Sequence, residues 1–285
     1  MLTWQVGRVK VTRVVEMSLP TPAGAAYFIP QATAAELRKS PWLYPNFVSE
    51  DEVMQMSIHA LLVEAPGLRL VVDTCVGNDK PRSLLRGRAL STNFLAEMEG
   101  IGWTRESVNA VVCTHLHVDH VGWNTMLGAD GKWTPTFPKA RYYVGRVEYE
   151  HWAADGAGEQ QAILDDSIQP IFDAGLAEFV ELDHRISDEI RLMPSTGHTP
   201  GHVCVMIESK GRQAVITGDM SHHPCQLAHP DWSPGFDSDP KAAAATRSRL
   251  FAEWADQPIL MIGTHYAAPT AGYVKRDGAA YRLES

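Results

Sequence analysis

Thr114-His115-Leu116-His117-Val118-Asp119-His120 sets four metal-capable side chains, His115, His117, Asp119 and His120, within six consecutive positions. Imidazole nitrogen and carboxylate oxygen form a ligand set that zinc accepts. The apolar run Val108-Asn109-Ala110-Val111-Val112-Cys113 just before it predicts a strand, and a loop at the end of a strand can aim alternate residues at one point. Asp119 followed by His120, Val121 and Gly122 reads as the capped start of a helix. A polar surface loop would also tolerate three histidines, but it does not explain the strand-to-loop context in which these arrive.

Four ligands on adjacent residues cannot close two tetrahedral shells, so the rest of the chain has to complete the coordination. Leu192-Met193-Pro194-Ser195-Thr196-Gly197-His198-Thr199-Pro200-Gly201-His202 ends a strand in a Gly/Pro-bent loop with His198 at its apex. Ala214-Val215-Ile216-Thr217-Gly218-Asp219 is an apolar strand ending in a carboxylate, and Ile259-Leu260-Met261-Ile262-Gly263-Thr264-His265 is another ending in histidine. Each hydrophobic run finishes in a potential ligand, which predicts strand ends converging on one edge of a sheet.

In this order, over residues of about 58 to 285, these segments resemble the five-part signature of the metallo-β-lactamase superfamily. The resemblance implies an α/β fold, a four-layer αβ/βα sandwich forming a single domain over residues 1–285. It puts His115, His117 and His198 on a first divalent ion and Asp119, His120 and His265 on a second, with Asp219 bridging. Zinc is the expected metal, with manganese, iron or cobalt tolerated by the mixed donor set. His202 and Asp73 are expected behind the ligands, the latter accepting a ligand histidine's free N–H. A turn-capping role for Asp73 at its strand end is the alternative.

The ligand types also sort this chain within the superfamily. Zinc β-lactamases with a cysteine ligand are similar only in part, because Asp219 stands at that point and His120 is present in addition. Flavin-linked di-iron members usually carry a glutamate where His117 stands, and thiol-ester hydrolases of the glyoxalase II type carry a helical C-terminal region, whereas this C-terminus reads as strand and hairpin. The expected activity is hydrolysis of a small neutral ester or lactone by a metal-bridging hydroxide, at a core of about +1 once two aspartates and the hydroxide are counted. Alternatives are a phosphotriesterase resembling the parathion-hydrolase branch, an acyl-homoserine lactonase, and a non-catalytic metal-binding protein. Lactonases typically place a tyrosine three residues past the bridging aspartate; here that residue is His222, read either as a donor to the developing oxyanion or leaving group or, with His223, as a loop residue facing water. The catalytic set is therefore Asp119, Asp219 and His222.

With 285 residues and 45% hydrophobic content the chain can bury one substantial core. A net charge of -9 argues against nucleic acid, since phosphate binding rests on clustered Lys and Arg. No apolar run approaches a membrane span and Met1 to Lys10 lacks a signal peptide's hydrophobic stretch, so a cytoplasmic enzyme with a small-molecule substrate is expected, as a homodimer by family resemblance. Cys75, Cys113, Cys204 and Cys225 show no paired spacing and read as buried reduced thiols.

The rest of the chain reads as an opening strand over Val6 to Val15, a hairpin of Ile58 to Glu64 with Leu68 to Asp73 around Pro66-Gly67, and a closing hairpin around Asp277-Gly278. Helices are expected over Ser91 to Gly100, Arg146 to Ala154, Gln160 to Ala174 and Pro240 to Asp256. The Pro-rich stretch within 20–57, with Tyr27, Phe28, Trp42, Tyr44 and Phe47, is long for a connection and reads as a lid or a dimer contact, with plain core as the alternative. Tyr27, Phe28, Trp123 and Tyr266 are the expected walls of an apolar substrate pocket.

Overall fold

The computed structural model describes residues 1–155 and 157–285, and the chain folds as two compact units. The first comprises Thr3–Glu16 and Ile58–Leu182, the second Met17–Ser57 and Asp183–Ser285.

The first unit is built on a seven-stranded sheet. The opening strand expected over Val6 to Val15 is a hairpin, Thr3–Val6 against Val9–Ser18, because Gly7 reverses the chain between Val6 and Val9. Ser57–Ala65 pairs antiparallel with Leu68–Val72, Ala65 facing Leu68 across Pro66-Gly67. Leu68–Val72, Ala110–Val112, Arg141–Gly145 and Ala177–Val180 then run parallel. Their buried Leu70, Val71, Val72, Val111 and Val112 are the continuous apolar runs of a sheet covered on both faces. In register, Val72 lies beside Val112, so Asp73 and the His115–His120 loop leave the sheet at the same edge. That edge, at the carboxyl ends of parallel strands, is where open α/β sheets bind ligands.

The second unit repeats the device. A six-stranded sheet includes Arg212–Ile216 parallel to Ile259–Ile262, with Ile216 beside Ile262. The Asp219 turn and the His265 loop therefore also leave one edge together. Ala271–Asp277 and Ala280–Glu284 close the sheet as the expected hairpin, Asp277 facing Ala280.

The stretch within 20–57 is organised rather than loose. Thr21–Pro22 pairs with Val53–Met54 at its two ends, and Thr33 caps the short helix Ala34–Leu37 by accepting from the Glu36 N–H at 3.4 Å. Phe28, Ile29, Leu37, Leu43, Phe47 and Val48 join Leu250, Phe251 and Trp254 in the apolar core of the second unit. Each such side chain, fully buried, stabilises by about 1.5–3 kcal/mol. Tyr27 is the exposed one of its aromatics, at 68%.

Helices Phe94–Gly100, Arg146–Asp155 and Pro240–Trp254 fall where the patterns predict them. The helix expected over Gln160 to Ala174 runs without interruption over Gly158–Asp173, its middle turn, Leu164–Ile168, widened to a π-helical bulge. Pro170 has no N–H to offer Asp166 O, and the Thr125 hydroxyl donates to that carbonyl instead. Among the described residues no helix is long and apolar enough to cross a membrane.

Candidate metal centre

In the first unit the Thr114–His120 loop is held from behind by Asp73. Its Oδ1 accepts from the Thr114 N–H at 2.7 Å and its Oδ2 from the Thr114 hydroxyl at 3.0 Å. Oδ2 also lies 2.9 Å from His120 Nδ1. With Nδ1 turned to a carboxylate, His120 keeps Nε2 for other work, and that nitrogen is 3.6 Å from Asp119 Oδ1. His115 turns Nδ1 to the Thr114 hydroxyl at 3.2 Å and brings Nε2 within 2.9 Å of His117 Nδ1. His115, His120 and Asp73 are buried, His117 and Asp119 half-buried.

No α-helix follows Asp119. The chain turns at His117–His120 and makes only the single tight turn Gly122–Asn124. The amides that would open a helix are already used, Gly122 N–H donating to Cys75 O and Trp123 N–H to Thr74 O, both at 2.7 Å. Backbone packs on backbone here: a Cβ on Gly122 would lie 1.8 Å from Val76 O. On the facing turn after Leu68–Val72, Asp73 and Cys75 hold left-handed φ values of 57° and 54°, so that turn carries strain next to the candidate ligands. Glu16 braces it by accepting from Val76 N–H (2.8 Å), Gly77 N–H (3.1 Å) and Trp123 Nε1–H (2.6 Å). Burial pushes the Glu16 carboxyl up, and the three donors oppose that shift. Trp123, expected as a pocket wall, is instead buried, stacked on Phe94 and tied to Glu16.

In the second unit the carboxylate of Asp219 faces three histidines. Oδ1 lies 3.0 Å from His265 Nε2, while Oδ2 lies 3.1 Å from His222 Nε2 and 3.5 Å from His198 Nε2. His198 turns Nδ1 to Asp237 Oδ1 at 2.8 Å, and His265 turns Nδ1 to Ser57 O at 3.2 Å. His202 is spent within the protein: Nε2 accepts from the Asp219 N–H at 2.8 Å and Nδ1 lies 2.8 Å from the Ser195 hydroxyl. Both its nitrogens are thereby used, which leaves none for a metal and fixes the backbone of Asp219. Gly197 permits the bend: its φ is +133°, and a Cβ there would lie 2.3 Å from Ala243 N in the first turn of the helix Pro240–Trp254.

His222 and His223 are both buried, against the reading that turned them to water. His223 is structural, its Nε2 at 2.9 Å from Phe47 O and its Nδ1 accepting from the Cys225 N–H at 3.1 Å. Burial lowers its pKa to about 4. His222 stacks on His265 with ring centres 5.9 Å apart and is flanked by Phe28 at 6.0 Å and Phe236 at 5.3 Å. Tyr266 is a core residue, fully buried, with its hydroxyl 2.6 Å from Ser221 Oγ and its ring against Phe47. All four cysteines are buried and free; burial raises the Cys225 thiol and so disfavours the thiolate a metal would need.

The pattern fits a divalent metal. His120, His198 and His265 each give Nδ1 to an acceptor and direct Nε2 toward a carboxylate oxygen, the orientation that ligating imidazoles need. Nitrogen and carboxylate oxygen are the donors zinc takes. Asp237, the partner of His198, and Ser57, which acts through its carbonyl, are not among the residues expected from the sequence. The Asp237-Ser238-Asp239-Pro240 run ahead of a helix was the available signal for the former.

Residues 54–265, which run through both units, match the model of the metallo-beta-lactamase superfamily. An N-acyl homoserine lactonase of Bacillus cereus is 25% identical over 254 residues, 83% of this chain and 91% of that protein. Among solved structures, the hydrolase AbOPH of the beta-lactamase superfamily superposes with a TM-score of 0.80 at 25% identity, covering 99% of this chain and 96% of its own. AidC, a dizinc quorum-quenching lactonase solved with its product, superposes with a TM-score of 0.78 at 22% identity, covering 99% and 97%.

Proposed function

The chain belongs to the metallo-β-lactamase superfamily and has its mixed α/β fold, and from that premise we propose that it is a binuclear, zinc-dependent hydrolase of small neutral esters or lactones. In this reading His115, His117 and His198 hold one ion, Asp119, His120 and His265 the other, and Asp219 is shared. The observation that carries it is the position of Asp219, whose carboxylate stands 3.0 Å from His265 Nε2 and 3.5 Å from His198 Nε2, one histidine of each proposed ion. A lactonase relative 25% identical over most of its length supports an ester or lactone carbonyl as the electrophile.

Two divalent ions, when bound, supply hydroxide at neutral pH and polarise the carbonyl oxygen. The chain's own residues do the rest. Asp73, Asp237 and the Ser57 carbonyl keep their histidines in the tautomer that presents Nε2. His222 stands where lactonases typically carry a tyrosine, 3.1 Å from Asp219, and is the donor for the developing oxyanion or the leaving oxygen. Phe28 and Phe236 flank it, Phe236 remaining 43% exposed, and give the substrate an apolar surface beside that donor.

A panel of aryl esters, γ-lactones, acyl-homoserine lactones, phosphotriesters and β-lactams on zinc-loaded protein tests the reading. Esters or lactones should be turned over best, and His222→Ala should lower kcat more than it raises KM, as loss of a contact made in the transition state does. Preference for phosphotriesters or β-lactams by orders of magnitude, or no turnover with two ions bound, would falsify it.

A further inference from the structure

The helix Pro240–Trp254 holds the second unit's ligands at two levels. At its N-terminal end, Ser238 N–H donates to His198 O at 2.8 Å and Asp239 N–H to Gly197 O at 3.0 Å, and nearly two turns further on the Thr246 hydroxyl donates to Thr196 O at 2.7 Å. Asp239 caps the helix through the Lys241 and Ala242 amides at 3.1 and 3.0 Å. About two turns in, Arg247 is 0% exposed and spreads its guanidinium over four acceptors. Nε donates to Pro230 O at 3.0 Å, Nη1 lies 3.4 Å from Met220 O and 3.5 Å from Asp237 Oδ2, and Nη2 donates to the Ser233 hydroxyl. Those acceptors lie on the turn that carries Asp219 and on the loop that carries Asp237.

We propose that Arg247 is the positioning residue of this half-site, holding Asp237 against His198 Nδ1 and pinning the Met220 carbonyl beside Asp219. The inference rests on the metal reading above. A buried guanidinium is costly to leave unpaired, and the planar fork with five N–H donors can serve carboxylate, hydroxyl and two carbonyls at once. A lysine at this position offers a single point of charge and cannot span the same four groups. Asp237 in turn has Arg247 as its cation, so the two act as one unit on His198. Groups that orient a ligand histidine govern how tightly its metal is held.

The test is zinc affinity, measured by competition with a chromogenic chelator on the full chain loaded with two equivalents. Asp237→Asn and Arg247→Met should each weaken one of the two ions by about 10–100-fold and leave the other near its wild-type affinity. The double variant should match the worse single variant rather than their product, and Arg247→Lys should recover part of the loss. If Arg247→Met does not fold, Asp237→Asn, which keeps the side chain's shape, carries the test by itself. Wild-type affinity for both ions in Asp237→Asn, or equal loss of both, overturns the proposal. A wild-type protein that holds fewer than two ions overturns the binuclear reading first, and the affinity claim with it.

Discussion

The two halves of the proposed ligand set are built by opposite strategies. In the first unit four candidate ligands sit on one loop within six residues, braced by Asp73 and Glu16 and by backbone packed on backbone at Gly122. In the second, His198, Asp219 and His265 come from three separate strand ends, and their order is imposed by the buried polar side chains of Asp237, His202 and Arg247. A local half-site gets its geometry from the path of one loop. A dispersed one has to be assembled, so it needs buried polar partners and is exposed to damage at a distance.

The sharpest way to break this comparison is at Asp219. Asp219→Ala removes a carboxylate that faces both His198 and His265, so turnover should fall about a thousandfold or more and bound metal should drop with it. His117→Ala, which leaves three ligands on the same loop, should cost less metal by elemental analysis after loading with zinc. Equal metal loss in the two would erase the distinction between local and dispersed sets.

Next come the two glycines. Gly122→Ala drives a Cβ to 1.8 Å from Val76 O, and Gly197→Ala meets Ala243 N at 2.3 Å from a φ of +133°. Each should lower stability by about 3 kcal/mol or more, read from urea denaturation. Both are backbone against backbone, so neither neighbour can swing away. A loss under about 1 kcal/mol at either would mean that its loop yields.

A pH experiment isolates the second unit's core. The buried His223, held at about 4, stays neutral in the folded protein while the unfolded chain protonates near the ordinary histidine value of about 6.5. Unfolding therefore takes up a proton below that value, and stability present at neutral pH is lost as the pH falls from about 6.5 toward 4. Between pH 7 and 5 the loss from this one group is about 2 kcal/mol. In His223→Gln the decline measured by urea midpoints should be shallower by that amount; an unchanged slope would place the acid sensitivity elsewhere.

The smallest expected effect on metal content is at His202. Its two nitrogens serve Ser195 and the Asp219 amide, so His202→Ala should keep both ions and lose about 1–3 kcal/mol of stability. Loss of an ion would make this histidine a ligand and redraw the 196–202 loop.

The sequence by itself determined the family fold and the identity of the ligand candidates. His115 to His120 were legible because one loop holds them all, and His198, Asp219 and His265 because each terminates an apolar run whose length and composition mark a strand. Alternating and continuous hydrophobicity report burial directly, so the sheets could be read as well. What only the tertiary structure decided was how those ligands are aimed. The tight turn in place of a helix after Asp119 follows from amides claimed by Thr74 and Cys75, and the widened turn at Leu164–Ile168 from a carbonyl claimed by Thr125. Trp123 and Tyr266 became core because Glu16 and Ser221 satisfy their polar atoms, while His222 and His223 were drawn inward. Hydrogen bonds between residues tens to hundreds of positions apart leave no periodicity in the chain, and a backbone carbonyl such as that of Ser57 leaves no residue type to recognise.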